Sequence, residues 1–280
     1  MSGEDDSGRN TESRPTALTV AGSDSGGGAG IQADLKTFSA MGVYGMSVIT
    51  AITAQNTREV KAVHALPPDL VAAQLDAVLE DIGADAVKTG MLMTAEIVDT
   101  VSSRLAAHGV TRLVVDPVMI AKSGDRLLED EAIGPLKKLL LPMALVVTPN
   151  VPEAEVLSGL KIRSREDMAL SARTIQELGA RNVVIKGGHL SEGEESCDLL
   201  LTEDGTDVLL CSERVETSAG HGTGCTFAAA IAAGMASGMG VTEAIERAKN
   251  FVTEALKNAT PLGKGHGPVD HLWRLGRRRE

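Results

Sequence analysis

The 280-residue chain is poor in aromatic residues, with one tryptophan, one tyrosine and three phenylalanines. Proteins that bind single-stranded nucleic acid commonly stack bases on aromatic side chains, so the composition argues against a nucleic-acid partner. No segment reaches the roughly 18 consecutive apolar residues of a membrane span. The alanine-rich segment from Phe227 to Ala236 is expected to be a buried helix, and no membrane partner is expected.

Cysteine is also scarce. Cys197, Cys211 and Cys225 are an odd number without paired spacing, which fits a reducing compartment better than a disulfide framework. No metal-binding cluster of cysteines is evident. Residues 1–14 are polar and acidic and have no apolar core, so we interpret them as a disordered tail rather than a signal peptide. A cytoplasmic protein is therefore expected.

The formal net charge of -11 disfavours polyanions in general, so a nucleotide would need a locally electropositive site. The basic residues near the C-terminus belong to a short tail, residues 274–280, expected to lie in solvent. A length of 280 residues suits one α/β domain, and we predict that residues 15–273 form it.

Short β-branched segments alternate with longer helical segments, the pattern of βαβ units in a mostly parallel sheet with helices on both faces. The predicted strands are 17–20, 46–53, 86–88, 113–115, 145–148 and 183–186. The predicted helices are 30–41, 69–81, 94–108, 165–178 and 242–258. Segments 198–202 and 207–211 flank Asp204-Gly205, which predicts a hairpin and an antiparallel edge.

Polar or small residues follow each of these six predicted strands. Ligands in open α/β sheets bind at the carboxyl ends of the strands, so we expect one ligand cleft along this edge. The residues that follow the strands are Gly22 to Asp24, Gln55, Thr89 and Gly90, Asp116, Asn150 with Glu153, and Gly187 to His189.

A glycine-rich turn, Gly220-His221-Gly222-Thr223-Gly224-Cys225, leads directly into the alanine-rich helix. Small residues allow close approach of a ligand, and the free N–H groups and dipole of a helix start favour an anion. A thiol at such a position is expected to have its thiolate favoured. The alternative is a structural turn with Cys225 as a small apolar filler. A Cys–His nucleophile pair is disfavoured because of the intervening glycines.

The first loop, Ala21 to Gly30, is rich in glycine but has the wrong spacing for a dinucleotide fingerprint, and the second strand ends without an acidic residue. A dinucleotide oxidoreductase is therefore disfavoured. Gln55 follows that strand instead, and its amide offers an acceptor and donors side by side, suited to an aminopyrimidine edge. Capping of a loop explains Gln55 equally well.

Four polar residues near later strands are candidates for a nucleotide and its magnesium ion. Asn150 and Glu153 suit oxygen ligands of Mg²⁺, although helix capping also explains both. Asp116 has the same alternative as the start of a turn. Lys186 at a strand end could neutralise phosphate or simply extend its charge to solvent. The loop Lys122 to Asp125 could close over the phosphate or be a surface turn.

Several motifs together resemble the hydroxymethylpyrimidine/phosphomethylpyrimidine kinases of thiamine biosynthesis, in the ribokinase superfamily. The motifs are Ala21-Gly22-Ser23-Asp24, the segment Gly30 to Thr37, Thr53 to Thr57, Lys88-Thr89-Gly90-Met91, Asp116-Pro117-Val118-Met119, Lys186-Gly187-Gly188-His189, His221 to Cys225 and Gly265 to Val269. The resemblance extends from about residue 16 to residue 273. It implies a ribokinase-like three-layer α/β sandwich and a homodimer.

The resemblance implies that ATP and Mg²⁺ phosphorylate a small pyrimidine alcohol and then its monophosphate. It places the substrate against Gly22, Asp34, Gln55, Met91 and Val118, with Gln55 at the pyrimidine edge. It places Lys186, Asn150, Asp116 and Thr223 on the nucleotide side, and Glu153 with Asn150 at the metal. The catalytic anion hole would be formed by Gly222, Thr223, Gly224 and Cys225. Gly27 departs from the usual Ser-Gly-Gly and bears on substrate specificity.

Many members of the superfamily have a similar site but carry an aspartate, which acts as a base, at the position of Cys225. A thiolate would substitute here, and we hypothesise that Cys225 assists the first transfer more than the second, whose acceptor is already anionic. Two other functions stay open at this point. One is a pyridoxal-type vitamin kinase, which shares the fold, and the other is a catalytically inactive nucleotide-binding regulatory protein.

Overall fold

A computed structural model describes residues 14–120, 124, 126–188 and 194–276. Within them, nine strands form one sheet. The strands are β1 (Thr16–Asp24), β2 (Tyr44–Gln55), β3 (Val60–Ala65), β4 (Ala86–Thr89), β5 (Leu113–Val115), β6 (Val146–Val147), β7 (Asn182–Ile185), β8 (Glu195–Leu201) and β9 (Asp207–Glu213). The helices are α1 (Gly30–Ala40), α2 (Pro68–Asp81), α3 (Ala95–Ala107), α4 (Asp130–Pro135), α5 (Val151–Ser158), α6 (Arg165–Glu177), α7 (Thr223–Ala236) and α8 (Val241–Lys257).

The strand order is β3-β2-β1-β4-β5-β6-β7-β8-β9. The six strands from β2 to β7 in this order are parallel, whereas β3, β8 and β9 pair antiparallel at the two ends of the sheet. The chain leaves β1 towards β2 on one side and returns to β4 on the other. Loops diverge at such a switch point, which opens a crevice at the carboxyl ends of the strands.

Two aliphatic cores cover the two faces of the sheet. One contains buried residues of α2, α3, α5 and α6, and the other contains those of α1, α7 and α8. In α7 the side chains of Ala228 to Ala233 are completely buried. Their small size lets α7 lie against the sheet while α1 and α8 pack beside it. The start of α7 is thereby held rigidly at the centre of the strand edge.

The predicted mostly parallel α/β sheet with helices on both faces is confirmed, as is the hairpin, which forms β8 and β9. β1 extends one residue before and four residues beyond the predicted strand, and at its end Ser23 and Asp24 still pair with β2 beyond a register shift. Strand β3 and helix α4 were not predicted. β3 is short and none of its residues is fully buried, so its sequence lacks a clear apolar face.

The prediction of unpaired cysteines is wrong for two of the three. Cys197 and Cys211 face each other across β8 and β9, and their sulfur atoms are bonded at 2.04 Å. Cys225 is free. The spacing gave no signal because the hairpin register, rather than the number of intervening residues, brings the two thiols together.

Among the described residues, no helix is both long and apolar enough to cross a membrane. Apart from Arg14, the tail predicted for residues 1–14 lies outside the described residues. Residues 277–280 of the basic tail also lie outside them. Residues 273–275 of the C-terminal region form a single 3₁₀ turn.

Candidate active site

Helix α7 begins at the glycine-rich turn. Gly222 is its N-cap residue with φ of 79°, in the left-handed region that favours glycine. A β-carbon at Gly222 would lie 1.8 Å from the carbonyl oxygen of Gly28, so the first loop packs directly on the turn. The N–H groups of the first turn, Thr223 to Cys225, have no partners within the helix. The predicted glycine-rich helix start, with free N–H groups in its first turn, is therefore present at the strand edge.

Lys186 lies beside this helix start. Its Nζ is 3.0 Å from Oδ1 of Asp116, and a β-carbon at Gly224 would lie 3.2 Å from the same Nζ. Thr148 Oγ1 donates to Asp116 Oδ1 at 3.2 Å. Burial opposes the charge of Lys186, but Asp116 and Glu153 outweigh it and raise the pKa of the lysine. The structure thus brings together a fixed cation and the N-terminus of α7.

Asn150 and Glu153 form a capping box at the start of α5. The Asn150 side chain accepts from the Glu153 amide at 2.9 Å, and Glu153 Oε2 accepts from the Asn150 amide at 2.8 Å. The capping alternative is thus realised for both residues. Burial raises the pKa of Glu153 to about 7; Lys186 opposes the rise and the Asp116 carboxylate adds to it.

Cys225 is partly buried in the first turn of α7. Burial raises the pKa of its thiol to about 11; Lys88 opposes the rise, Asp34 and Asp116 add to it, and the Gly30 amide opposes it by hydrogen bonding to the sulfur. The expected preference for the thiolate is therefore wrong. Desolvation and nearby carboxylates outweigh the helix N-terminus, so at neutral pH the residue is a thiol.

Asp34 does not line the open cleft. It is fully buried, and its Oδ2 accepts from Lys88 Nζ at 2.8 Å and from Thr19 Oγ1 at 2.6 Å. Lys88 is also completely buried; burial by itself would lower its pKa, but the Asp34 and Asp116 carboxylates outweigh that cost and raise it. The position of Asp34 in α1 turns its side chain towards the sheet rather than towards the strand edge.

The predicted pyrimidine-binding residues divide into two groups. Gly22 lies within β1, and a β-carbon there would be 3.1 Å from Cε of Met91, so these two residues are in contact. The Thr50 hydroxyl donates to the Met91 carbonyl at 2.6 Å. Val118 is half-buried, and its amide donates to the Asp116 carbonyl at 2.8 Å, in the turn after β5.

Gln55 is the last residue of β2 and lies in a network that the sequence did not reveal. His221 Nε2 is 2.8 Å from Asp24 Oδ2 and 3.5 Å from Gln55 Nε2. A small cleft opens here, lined by residues 55–59, His221 and His266. The signals for Asp24 were its position after the first strand and its place in the motif Ala21 to Asp24, and neither connected it to His221.

Gly27 has φ of 76°, and its carbonyl accepts from Lys36 Nζ at 2.7 Å. The left-handed backbone is a physical reason for the glycine that departs from the usual motif. Of the predicted phosphate loop only Gly124 is described, and Lys122, Ser123 and Asp125 lie outside the described residues, as does His189.

A parallel α/β sheet with a switch point, a glycine-rich helix start and a lysine beside it define a phosphotransferase site of the ribokinase-like class. The comparison with solved structures agrees with this class. The ADP complex of Bacillus subtilis pyridoxal kinase superposes with a TM-score of 0.88 at 41% identity, covering 95% of this chain and 100% of that one.

Sequence comparison defines the family. The profile of phosphomethylpyrimidine kinase matches residues 24–270. The hydroxymethylpyrimidine/phosphomethylpyrimidine kinase of Bacillus subtilis is 50% identical over 91% of this chain and 94% of its own length. The chain belongs to the phosphomethylpyrimidine kinase family. It is also 53% identical, over 92% of its length, to the thiamine biosynthesis bifunctional protein ThiED of Geobacter sulfurreducens, and that alignment spans about half (52%) of the bifunctional protein.

Proposed function

We propose that the protein phosphorylates 4-amino-5-hydroxymethyl-2-methylpyrimidine with ATP and then phosphorylates the monophosphate to the diphosphate, in thiamine biosynthesis. The observation that carries this proposal is the meeting of Lys186 with the start of α7, where a β-carbon at Gly224 would lie 3.2 Å from the lysine nitrogen. A cation and a set of free amides converge on one point there. Family membership supports the substrate class.

The transferring phosphoryl group would lie against Gly222, Thr223, Gly224 and Cys225. The transition state of phosphoryl transfer is loose and is stabilised mainly by positioning and by charge. First-turn amides are preorganised donors, because the helix holds them and no rearrangement is needed during the reaction. Lys186 would neutralise charge on the phosphates, and its ion pair with Asp116 would keep it in place.

Magnesium fits the oxygen groups beside Lys186. Asp116 and Glu153 are both buried, and the raised pKa of Glu153, about 7, reflects burial together with the nearby like charge. Such a pair of hard oxygen ligands suits a divalent cation. Asp116 and Glu153 would hold the ion, with Asn150 orienting Glu153 through the capping box. When bound, Mg²⁺ would neutralise the charge of the nucleotide phosphates.

The pyrimidine would lie on the opposite side of the turn, with Gln55 facing its amino edge. Gly22, Met91 and Val118 would contact the ring from β1, from the turn after β4 and from the turn after β5. Asp34, which is fully buried, would act from beneath this surface through Lys88. Cys225 lies between the two halves, and its neutral thiol would stand next to the reacting hydroxyl group.

A coupled assay of ADP release tests this function. Purified protein with ATP and Mg²⁺ is expected to turn over hydroxymethylpyrimidine and its monophosphate, with each product identified by mass spectrometry. Omitting Mg²⁺ and adding a chelator is expected to abolish both reactions. Absence of turnover with both pyrimidines would reject the proposal.

A second function, phosphorylation of pyridoxal, is favoured by one observation. The TM-score of 0.88 with Bacillus subtilis pyridoxal kinase covers that entire chain. Pyridoxal tested in the same assay separates the two activities. A kcat/KM for pyridoxal above those of both pyrimidines would make it the principal substrate.

Three further properties complete the proposal. Residues 15–273 would form the kinase domain, followed by the tail 274–280. A homodimer is expected from the family resemblance alone, and light scattering tests it. A cytoplasmic location is supported by the need for ATP. The cytoplasm keeps thiols reduced, so a cytoplasmic protein should have Cys197 and Cys211 as free thiols in cells rather than as the disulfide of the structure. Alkylation of the free thiols in intact cells measures which form is present.

A further inference from the structure

The Gln55 amide lies between two polar groups that belong to different parts of the chain. Its Nε2 is 3.5 Å from His221 Nε2, and its Oε1 is 3.2 Å from Thr53 Oγ1. A half-turn of the amide about its last torsion exchanges the oxygen and the nitrogen with almost no change of shape. The neighbours of the amide therefore decide which end points in which direction.

Asp24 decides the state of one of these neighbours. Its Oδ1 accepts from the Gly26 amide at 2.8 Å, and its Oδ2 accepts from the amides of Gly28 at 3.1 Å and Ala29 at 2.8 Å. A carboxylate surrounded by donors is ionised. Although burial opposes ionisation, His221 and the loop amides lower the pKa of Asp24. The fourth group, His221 Nε2 at 2.8 Å, must then carry a proton and donate it to the carboxylate.

A protonated Nε2 accepts no hydrogen bond, so it cannot receive one from the amine end of Gln55. It favours the oxygen end as its neighbour. The amine end can then donate to Thr53 Oγ1, whose own proton goes to the Ser23 carbonyl at 3.0 Å. This arrangement gives the amine end an acceptor and places the amide oxygen beside the imidazole N–H, whereas the opposite one, with Nε2 towards His221, places two N–H groups against each other.

We propose that Asp24 and His221 are positioning residues that fix the orientation of the Gln55 amide and thereby the preference for an aminopyrimidine. This inference rests on the proposed function, because it assumes that Gln55 faces the ring. A 4-aminopyrimidine presents an N–H donor beside a ring-nitrogen acceptor, and a fixed amide matches that order. Pyridoxal has an aldehyde and a hydroxyl group at the corresponding positions, so the same amide does not select it.

The loop structure supports a role for the pair beyond simple packing. The Ser25 hydroxyl donates to the backbone carbonyl of Gln55 at 2.8 Å and accepts from the backbone N–H of Gln55 at 2.8 Å. The first loop therefore already holds the backbone of Gln55. A β-carbon at Gly28 would lie 2.5 Å from Cδ2 of His221, which fixes the imidazole ring. Only the side-chain amide of Gln55 remains to be oriented.

The test is a double-mutant cycle between His221→Gln and Gln55→Ala in the full-length protein. Calorimetry measures the Kd of hydroxymethylpyrimidine and of pyridoxal, and the ADP-release assay measures KM and kcat. His221→Gln is expected to weaken pyrimidine binding about tenfold, the loss of roughly one hydrogen bond. The affinity for pyridoxal and the KM of ATP are expected to change less than about twofold, within the usual scatter of independent sites.

In the Gln55→Ala background, His221→Gln is expected to have almost no further effect on pyrimidine binding, because the amide through which it acts is gone. Additive losses would overturn the proposal, as would equal losses for the two ligands. Asp24→Asn is the second variant and is expected to show the same selective, non-additive loss. If neither variant folds by circular dichroism, the pair is structural and the proposal fails.

His108→Gln is the matched control, since His108 Nε2 lies 2.9 Å from Asp76 Oδ1 in a similar pair at the end of α3, remote from the cleft. It is expected to leave both affinities unchanged. Turnover of the pyrimidine by the wild-type protein tests the proposed function separately. If the wild-type protein binds the pyrimidine but does not phosphorylate it, the proposed function is rejected, and the binding data still test the role of Asp24 and His221. If it does not bind the pyrimidine at all, both the proposed function and this inference are rejected.

Discussion

Lys88 and Asp34 form an ion pair in the interior of the protein, with Nζ and Oδ2 at 2.8 Å and neither side chain exposed to solvent. The pair joins β4 to α1 beneath the candidate site. Thr19 donates to the same carboxylate oxygen, whereas Oδ1 has no hydrogen-bond partner within the described residues. A buried pair with one unsatisfied oxygen depends strongly on both partners, because either charge alone would be left in a low dielectric.

Replacing one member of this pair is expected to be costly. Lys88→Met should lower the free energy of unfolding by about 3–5 kcal/mol, since Asp34 would be left buried without a counter-ion. The double variant Lys88→Met with Asp34→Leu should recover much of the loss. Urea denaturation measures both. Lys161→Ala, which breaks the exposed pair with Glu155, is the control and should cost less than about 1 kcal/mol. Additive losses in the double variant would contradict the prediction.

Removal of the Lys186 cation should affect turnover more than folding. Lys186→Met is expected to lower kcat by about 100- to 1,000-fold, comparable with the loss of one preorganised group that stabilises transition-state charge. The pairing of Lys186 with Asp116 means that some stability will also be lost, so thermal unfolding is measured in parallel. Lys257→Met, at an exposed pair with Glu213, should leave kcat unchanged. A kcat within threefold of wild type would contradict a phosphate-binding role for Lys186.

Gly222 and Gly238 form a matched pair for testing the helix start. Both have positive φ, 79° and 85°, so alanine costs about 1–2 kcal/mol of backbone strain at either position. Only at Gly222 would the new β-carbon collide with another loop, 1.8 Å from the Gly28 oxygen, whereas nothing lies within 4 Å at Gly238. Gly222→Ala should therefore lose activity, and Gly238→Ala should lose only stability. Equal kcat values in the two folded variants would contradict this prediction.

Alkylation of Cys225 tests the protonation state of its thiol. With a pKa of about 11, the rate constant with iodoacetamide should rise about tenfold per pH unit from pH 7 to pH 10, because only the thiolate reacts. A free thiol with a pKa near 8.5 rises in rate only up to about pH 8 and levels off above about pH 9.5, inside that range. Mass spectrometry identifies the modified residue, and glutathione is the reference thiol. A rate that is already constant near pH 7 would show that the helix start does favour the thiolate.

The same pKa sharpens the hypothesis about the two transfers. If Cys225 takes a proton from the alcohol, Cys225→Ala should reduce phosphorylation of hydroxymethylpyrimidine more than phosphorylation of its monophosphate. The difference should grow as the pH rises towards 10, because the thiolate fraction grows with pH. Equal losses in both reactions at every pH would assign Cys225 a packing role at the turn.

The order of strands and helices could be read from the chain because it depends on local periodicity. The alanine-rich α7 is likewise a local pattern and was predicted, and the capping box of Asn150 and Glu153 was recognised as the alternative to a magnesium site. β3 was missed because its exposure alternates weakly. The glycine-rich helix start at Gly222 to Cys225 was also predicted, because small residues before an apolar helix are a local pattern.

The pairs that make the site chemically specific could not be predicted in this way. Lys88 contacts Asp34 across 54 residues, Lys186 contacts Asp116 across 70, and His221 contacts Asp24 across 197. Each of these residues resembles an ordinary polar residue in its local sequence. Cys197 and Cys211 show the same limit, because their pairing depends on the register of the hairpin.

By itself, the sequence determined the fold class and the glycine-rich start of α7, and it predicted a ligand cleft at one edge of the sheet, because all three follow from short-range patterns of apolar and small residues. Only the tertiary structure decided which charges meet and what burial does to them. The side chain of Asp34 is buried beside Lys88, and burial raises the pKa of Cys225 so that it is a thiol rather than a thiolate. The physical reason is that pKa values and hydrogen bonds depend on desolvation and distance, which are properties of the packed chain.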